Sequence, residues 1–361
     1  MNATLNAVSG LGPKEPAAFV VEAGRRRLLL DCGEGPEPGR LPDIDRIGRI
    51  DAVVLSHGHN DHAGALRLLD RMGQPQLFAT APVLSRLKGV TGHAIPIRGR
   101  CDIAGIAVET GANGHAPGGV WMRLGVGKGL LYMGDYSFES RLYVLDPPSP
   151  TTTMIFDNSY GDAEEAIESQ QQRILDILAK GPALLPVPPD GRGPELAMVL
   201  LEAGLDVAID EQVRSVATML TQAARESARP ESLPRLERLI RDARKLDAEA
   251  EPRGVMVSHG GSGDAGVAGA LIKRWQDQPD PIILFTGHVA SGTTGRRLVE
   301  SGRALFQRWN VHPRASDNLA LVDSVKPQRI IPAFGDAKYA AFWQSRMAGR
   351  CEVLTGTPIA L

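Results

Sequence analysis

Residues 56–64 read SHGHNDHAG and bring His57, His59, Asp61 and His62 within six positions. Only eight histidines occur in the chain, and three of them fall in this stretch. Imidazole and carboxylate are the usual nitrogen and oxygen ligands of zinc, and a turn that presents several of them suits a metal better than a packed core. The apolar run DAVVL (51–55) precedes the stretch and reads as a strand. Alternate residues of an extended segment point the same way, so His57 and His59 can reach one metal while Asp61 and His62 turn toward a second position. A set of unrelated surface or core histidines is the ordinary alternative, and their density in six positions argues against it. Beyond the loop, Leu66, Leu69 and Met72 recur at helical spacing and Gly73 supplies the stop, so the spacing predicts strand, histidine loop, helix.

The totals narrow the setting. A chain of 361 residues exceeds the usual length of one domain, which predicts two domains or one domain with a large insertion. Hydrophobic residues make up 43%, enough for a substantial core. Lys and Arg number 40 against 42 Asp and Glu, for a net charge of −2, so composition alone gives nucleic acid no support. Cys32, Cys101 and Cys351 lie far apart without a CxxC pair, which predicts a reducing compartment, by default the cytoplasm. The opening MNATLNAVSGLGPKEP has no basic leader followed by an apolar run, and no stretch has the apolar length of a membrane helix, so a soluble protein without a membrane partner is expected.

The first third alternates short apolar runs with turn residues (AAFVVEA, RRRLLLDCG, DAVVLSHGH, IAVET, VWMRLGV, GLLYMGD), which predicts a mostly antiparallel sheet. After about residue 160 the rhythm changes. EEAIESQQQRILDILAK is helical, PALLPVPP a strand, and PELAMVLLEAG a helix with Pro194 near its start and Gly204 past its end. DVAID, a polar helical stretch from about 230 to 250, GVMVSH, AGVAGALIKRW, PIILFTG and TGRRLVESG continue the alternation, which implies a parallel sheet in its own layer. NLALVDSVKPQRIIPAFGD closes the chain with helix, strand and turns. The middle therefore reads as inserted into the first fold.

Two later residues qualify as metal ligands. His115 stands in NGHAPGG after a strand, and Asp135 in LLYMGDYS at a strand end. Taken singly, they read as a loop histidine and a turn former.

The ordered motifs resemble the metallo-β-lactamase superfamily and, within it, the β-CASP branch of nucleases. LLLDCG is similar to the early strand and turn of that fold, SHGHNDHAG to its HxHxDH signature, GHAPGG to its third metal motif, and LYMGDYS to the motif carrying the bridging aspartate. DNSYGD resembles the acidic motif that opens the β-CASP insertion, with Asp157 in the acidic role. DGRGPEL resembles GRxQEL, and FTGHVASGTTGRRL resembles TGYxxxGTxGRRL with His288 in the tyrosine's place. NVHPRASDN resembles the SGHAD-type motif and makes His312 the insertion's histidine.

The resemblance implies an α/β fold: a metallo-β-lactamase αββα sandwich formed by residues 1–156 and 313–361, with an inserted β-CASP parallel α/β domain at 157–312. It implies His57, His59 and His115 on a first Zn2+, Asp61 and His62 on a second, and Asp135 bridging them. One or two zinc ions are expected, with Mn2+ an accepted substitute for such ligands. Asp61 would orient the attacking water or accept its proton, His312 would hold or protonate the scissile phosphate, and Asp157 would orient His312. His288, Ser316 and Arg296 are the substrate-binding candidates; Arg296 and Arg297 begin a helix and read equally well as a solvated pair. His93 and His259 lie in glycine-rich turns and take the loop-histidine reading.

The pattern breaks at IIPAFGD, where Phe334 stands in place of the histidine that completes the second zinc in the family. A phenyl ring cannot coordinate zinc. The second ion then binds more weakly, another residue such as His288 supplies the ligand, or one zinc alone is held. The expected activity is metal-dependent phosphodiester hydrolysis of RNA, with single-stranded DNA as the other polynucleotide. Small esters or thioesters are the competing substrates, and a weakly active nucleic-acid-binding scaffold is the third reading. A homodimer remains open.

Overall fold

In the first unit, alternate residues of each apolar run face two different cores. Leu28 and Leu30 join one buried cluster with Phe19, Val21, Ala52 and Val54, whereas Leu29 joins another with Val20, Val53 and Leu55. This is the period-two geometry of a strand whose two faces are both covered. Burial of each such side chain contributes about 1.5–3 kcal/mol.

The computed structural model describes residues 3–37, 39–347, 349–352 and 357–361. It divides into a first unit, Met1–Phe138, Tyr143–Glu164 and His312–Leu361, and a second, Glu139–Leu142 and Glu165–Val311. The resemblance predicts the insertion at 157–312. The main segment of the second unit, Glu165–Val311, starts later and ends one residue earlier, because strand Thr153–Asp157 pairs in register with Arg329–Ala333 and His312 is bonded to Asp157, while Glu139–Leu142 joins that unit from ahead of the predicted start.

The first unit holds two sheets. One runs in the order Ile359–Ala360, Ala3–Ser9, Ala18–Ala23, Arg26–Leu30, Ala52–Val54, Gln76–Thr80, His93–Ile95. The other runs Arg329–Ala333, Thr153–Asp157, Leu130–Tyr132, Val120–Leu124, Ile106–Ala112, Gly99–Ile103. One core cluster joins their facing residues, and a separate cluster lies on each outer face beneath helices. This is the four-layered αββα arrangement.

The runs that predict a mostly antiparallel sheet do pair so in Ala18–Ala23 with Arg26–Leu30, Ile106–Ala112 with Val120–Leu124, and Val120–Leu124 with Leu130–Tyr132, but both sheets also hold parallel pairs. Arg26–Leu30, Ala52–Val54, Gln76–Thr80 and His93–Ile95 pair in parallel, as do Leu130–Tyr132, Thr153–Asp157 and Arg329–Ala333. Their connections are long enough to cross over, and parallel pairing requires that. The helix expected after the histidine loop is also modified: a four-residue α-helix, Asn60–Ala63, is followed by a 3₁₀ helix, Leu66–Met72.

The second unit is a six-stranded, all-parallel sheet in the order Arg244–Lys245, Val207–Ile209, Val255–His259, Ala183–Val187, Ile282–Phe285, Ala304–Phe306. Its helices include Ile167–Leu178, Arg192–Glu202, Glu211–Thr221 and Gly266–Trp275. The polar helical stretch expected from 230 to 250 is shorter, Leu233–Asp242, because the strand Arg244–Lys245 follows it.

Candidate metal centre

Parallel strands place their carboxyl ends on one edge of a sheet, and the chemistry gathers there. Arg26–Leu30 leads into Asp31, Ala52–Val54 into His57, Leu130–Tyr132 into Asp135, and Thr153–Asp157 ends on Asp157. Ile106–Ala112 runs antiparallel to Val120–Leu124, which is antiparallel to Leu130–Tyr132, so His115 leaves from the same end as Asp135.

The donor atoms converge. His57, His59, His115 and Asp135 form one group, Asp61, His62 and Asp135 a second, and Asp135, Asp157 and His312 a third; within each, the ligand atoms lie within 4.8 Å of one another. Asp135 belongs to all three. The six residues expected as ligands are thus brought together, and His312 and Asp157 adjoin them.

Two observations test whether the first group fits a metal. His57 Nε2 is buried and has no hydrogen-bond partner among the described residues. Its other nitrogen, Nδ1, lies 3.0 Å from Ser56 Oγ, and Ser56 Oγ donates to Asp31 Oδ2 at 2.7 Å. The serine oxygen therefore accepts from Nδ1, and the lone pair of Nε2 faces the cluster. Separations agree as well: His59 Nδ1 to His115 Nε2 is 3.1 Å, and His115 Nε2 to Asp135 Oδ2 is 3.6 Å. Ligands at about 2.0–2.1 Å from a tetrahedral ion stand roughly 3.3 Å apart. The donor set suits a divalent metal ion.

A buried layer behind the ligands fixes their orientation. Asp31 Oδ2 accepts from His62 Nδ1 at 2.7 Å, from Ser56 Oγ at 2.7 Å and from Tyr132 OH at 2.6 Å, and Oδ1 accepts from the Ser56 amide at 2.7 Å. Asp31 is fully buried with φ +57°, a left-handed conformation that costs a non-glycine residue roughly 1–3 kcal/mol. Sequence reasoning passed over Asp31; the available signal was an aspartate ending the triple-leucine run LLLDCG. Gly33 admits no side chain, since a Cβ there would stand 1.7 Å from the Asp61 carbonyl oxygen. Ala17 N donates to that same oxygen at 2.8 Å.

Electrostatics follow from this packing. Burial, with His62 and His59 nearby, holds the His57 pKa well below the ordinary imidazole value. For His62, burial acts downward, but Asp135 and Asp31 outweigh it and raise the pKa well above that value. Burial would raise Asp135, yet His62 and His312 together hold it well below the usual carboxylate range. Burial and Asp31 push the Tyr132 phenol well up, which keeps it a donor.

His312 Nδ1 donates to Asp157 Oδ2 at 2.7 Å and lies 3.6 Å from Asp135 Oδ2. Asp157 is fully buried, and Asn318 Nδ2 donates to its carbonyl oxygen at 2.9 Å. Ser316 is exposed, and its hydroxyl donates to Glu164 Oε2 at 2.6 Å. His288 follows strand Ile282–Phe285, and Arg296 lies in helix Thr294–Glu300; both belong to the second unit, whereas the metal cluster is built from the first.

Phe334 is buried, with φ +64°, its amide donating to the Gly10 carbonyl at 2.8 Å. Its ring meets that of His62 edge-on with centroids 5.1 Å apart. A hydrocarbon ring thus stands beside the group of three donors that includes His62.

Comparison with known proteins agrees with this geometry. A family model described as the metallo-beta-lactamase superfamily matches residues 11–84. A protein named transcription termination factor FttA from Methanothermobacter thermautotrophicus is 24% identical over 452 residues, covering 99% of this chain and 71% of its own. A Methanocaldococcus jannaschii protein named probable RNase MJ4 is 23% identical, covering 81% of each chain. An RNase J-like protein of that organism is 25% identical, covering 79% of this chain and 77% of its own. A crystal structure of a protein of unknown function from Enterococcus faecalis V583 shares the fold at a TM-score of 0.62, with 14% identity and full coverage of both chains. The chain carries a metallo-beta-lactamase superfamily domain, and its inserted parallel unit and ribonuclease-named relatives are consistent with the β-CASP nuclease branch.

Proposed function

We propose that this protein is a metal-dependent nuclease that hydrolyses RNA phosphodiesters. The observation that carries the reading is the sharing of Asp135 between the group His57, His59, His115 and the group Asp61, His62. When bound, two adjacent divalent ions polarise a phosphoryl oxygen, lower the pKa of water and stabilise the charge that builds during in-line displacement. Zinc is the preferred ion for this nitrogen-rich set, with manganese the alternative. Relatives named as ribonucleases and as a termination factor support RNA over a small ester.

The chain's own groups supply the remaining roles. Asp61 orients water and accepts its proton. His312, whose Nδ1 proton is held by Asp157, offers Nε2 to the scissile phosphate. In this reading His288, Ser316 and Arg296 hold substrate. Single-stranded DNA is a second substrate, cytoplasmic placement follows from an RNA substrate, and a homodimer is compatible with both.

Phe334 favours an unequal centre: a first ion held by His57, His59, His115 and Asp135, and a second, weaker ion held by Asp61, His62 and Asp135. The test pairs metal content per chain with cleavage of a labelled single-stranded RNA by the native protein and Asp61→Ala. Loss of cleavage in the variant is expected. Equal cleavage by both would overturn the assignment.

A further inference from the structure

We infer that Asn318 is a positioning residue for the His312–Asp157 pair: its side-chain amide ties the end of strand Thr153–Asp157 to the turn that carries Asp135. The inference rests on the reading of His312 as the residue that serves the scissile phosphate, and it adds the group that sets where that histidine stands.

Asn318 lies near the start of helix Ala315–Val325 and is 1% exposed. Its helical neighbours three and four residues away, Ala315, Leu321 and Val322, belong to one apolar cluster with Tyr136 and Phe156. A leucine would satisfy such a position by burial alone, whereas an amide there needs partners at both ends. The Asp157 backbone carbonyl can only accept, so Asn318 Nδ2 faces it and donates at 2.9 Å. Oδ1 faces the other way and accepts from the Tyr136 hydroxyl. Tyr136 is fully buried and follows Asp135, the carboxylate common to the three donor groups. One side chain therefore links the residue beside the shared ligand to the residue that holds His312.

The same helical turn also fixes His312. Arg314 caps the helix, its amide donating to Asp317 Oδ2 at 3.0 Å and its guanidinium to both oxygens of that carboxylate. His312 stands two residues ahead of this cap, and Pro313 between them is buried and locked in φ. Asp157 is gripped from Asn318, one residue beyond Asp317. Both ends of the 2.7 Å bond from His312 Nδ1 to Asp157 Oδ2 are thus set by one turn of helix. Asp157 Oδ1 accepts from the Ser159 amide at 2.8 Å, which holds the carboxylate against rotation. A reacting group displaced by about 1 Å can cost roughly 100-fold in rate, so Asn318 bears on the chemistry without touching substrate.

The test separates positioning from folding and from metal binding. Asn318→Leu keeps the volume and removes both hydrogen bonds. Tyr136→Phe removes one hydroxyl and keeps the ring, so it guards against a lost fold in the first variant. Each is made in the metal-loaded full chain, with and without His312→Ala. Three quantities are followed: cleavage of a labelled single-stranded RNA, metal content per chain, and the downfield NMR signal of the His312 Nδ1 proton, which His312→Ala identifies by its loss. Asn318→Leu is expected to lower kcat by about tenfold or more and Tyr136→Phe by less, with KM and metal content at native values. The His312 signal shifts or broadens in both. Combined with His312→Ala, neither change slows cleavage further, because both act through that ring. Losses that multiply with the loss from His312→Ala, beside a native His312 signal, would overturn the role. So would a fall in metal content equal to the fall in rate. If the native protein cuts no RNA, the nuclease reading fails, and the His312 signal then decides alone: displacement in both variants sustains the positioning role, and an unmoved signal overturns it.

Discussion

The carboxylate of Asp31 accepts from Nδ1 of His62 at 2.7 Å, while Nε2 of the same ring lies 3.2 Å from Asp135 Oδ1. One histidine is thereby held from behind by a residue outside the ligand set, with its second nitrogen aimed at the shared carboxylate. Outer partners of this kind fix ring orientation and tautomer, and their loss costs roughly 10–100-fold in metal affinity. Asp31→Asn is expected to weaken metal binding by about that factor while leaving the six ligands in place. Competition with a chelator of known affinity measures it, and an unchanged dissociation constant would show that Asp31 serves the fold alone.

Phe334 meets His62 edge-on beside the group Asp61, His62 and Asp135, which has three donors among the described residues. Phe334→His supplies a nitrogen at that corner, and metal content is expected to rise toward two ions per chain, with faster RNA cleavage. Elemental analysis after dialysis against limiting zinc reads the first effect. If neither metal content nor rate changed, another residue would already fill the position.

His312 and Asp157 act as a pair in the proposed reaction. His312→Ala is expected to lower kcat by about 100-fold, within the range for a lost acid or base, and Asp157→Asn by about 10–100-fold. Metal content should stay at the native value in both. A fall in metal content equal to the fall in rate would instead make His312 a ligand, as its separation of 3.6 Å from Asp135 Oδ2 allows.

In the second unit, Glu195 is buried and accepts from the Arg141 amide at 2.6 Å and from Ser140 Oγ at 3.1 Å. Burial is the largest influence and raises its pKa from 4.5 to about 7 against those bonds. A carboxyl raised in the folded state contributes stability that is complete below 4.5 and lost as pH climbs through about 7. Glu195→Gln removes this dependence, so the melting temperature of the variant relative to the native protein should rise between pH 5 and pH 8. The limiting difference is about 3 kcal/mol. A constant gap across that range would mean that Glu195 ionises without cost.

Much of this architecture was legible in the chain, and the reasons are local. Period-two runs such as RRLLL and DAVVL and helical runs such as IESQQQRILDIL carry their own spacing, so most elements could be located before any contact was known. The antiparallel pairs among the early runs agree with their reading, whereas the parallel pairs beside them were not foreseen because direction depends on crossovers, which no single run encodes. The loop after the histidines read as one helix because its leucines keep helical spacing, although Leu66–Met72 folds as a 3₁₀ helix.

By itself the sequence determined which side chains could serve as ligands, since His57, His59, Asp61 and His62 are neighbours in the chain and His115, Asp135 and His312 stand in recognisable turns. Only the tertiary structure decided that Asp135 is common to three groups, that Asp31 grips His62, and that Phe334 lies against the same ring. Those relations join residues up to 272 positions apart, in the case of His62 and Phe334. They arise because parallel pairing carries the carboxyl ends of distant strands to one edge, and the chain alone does not state which strands pair.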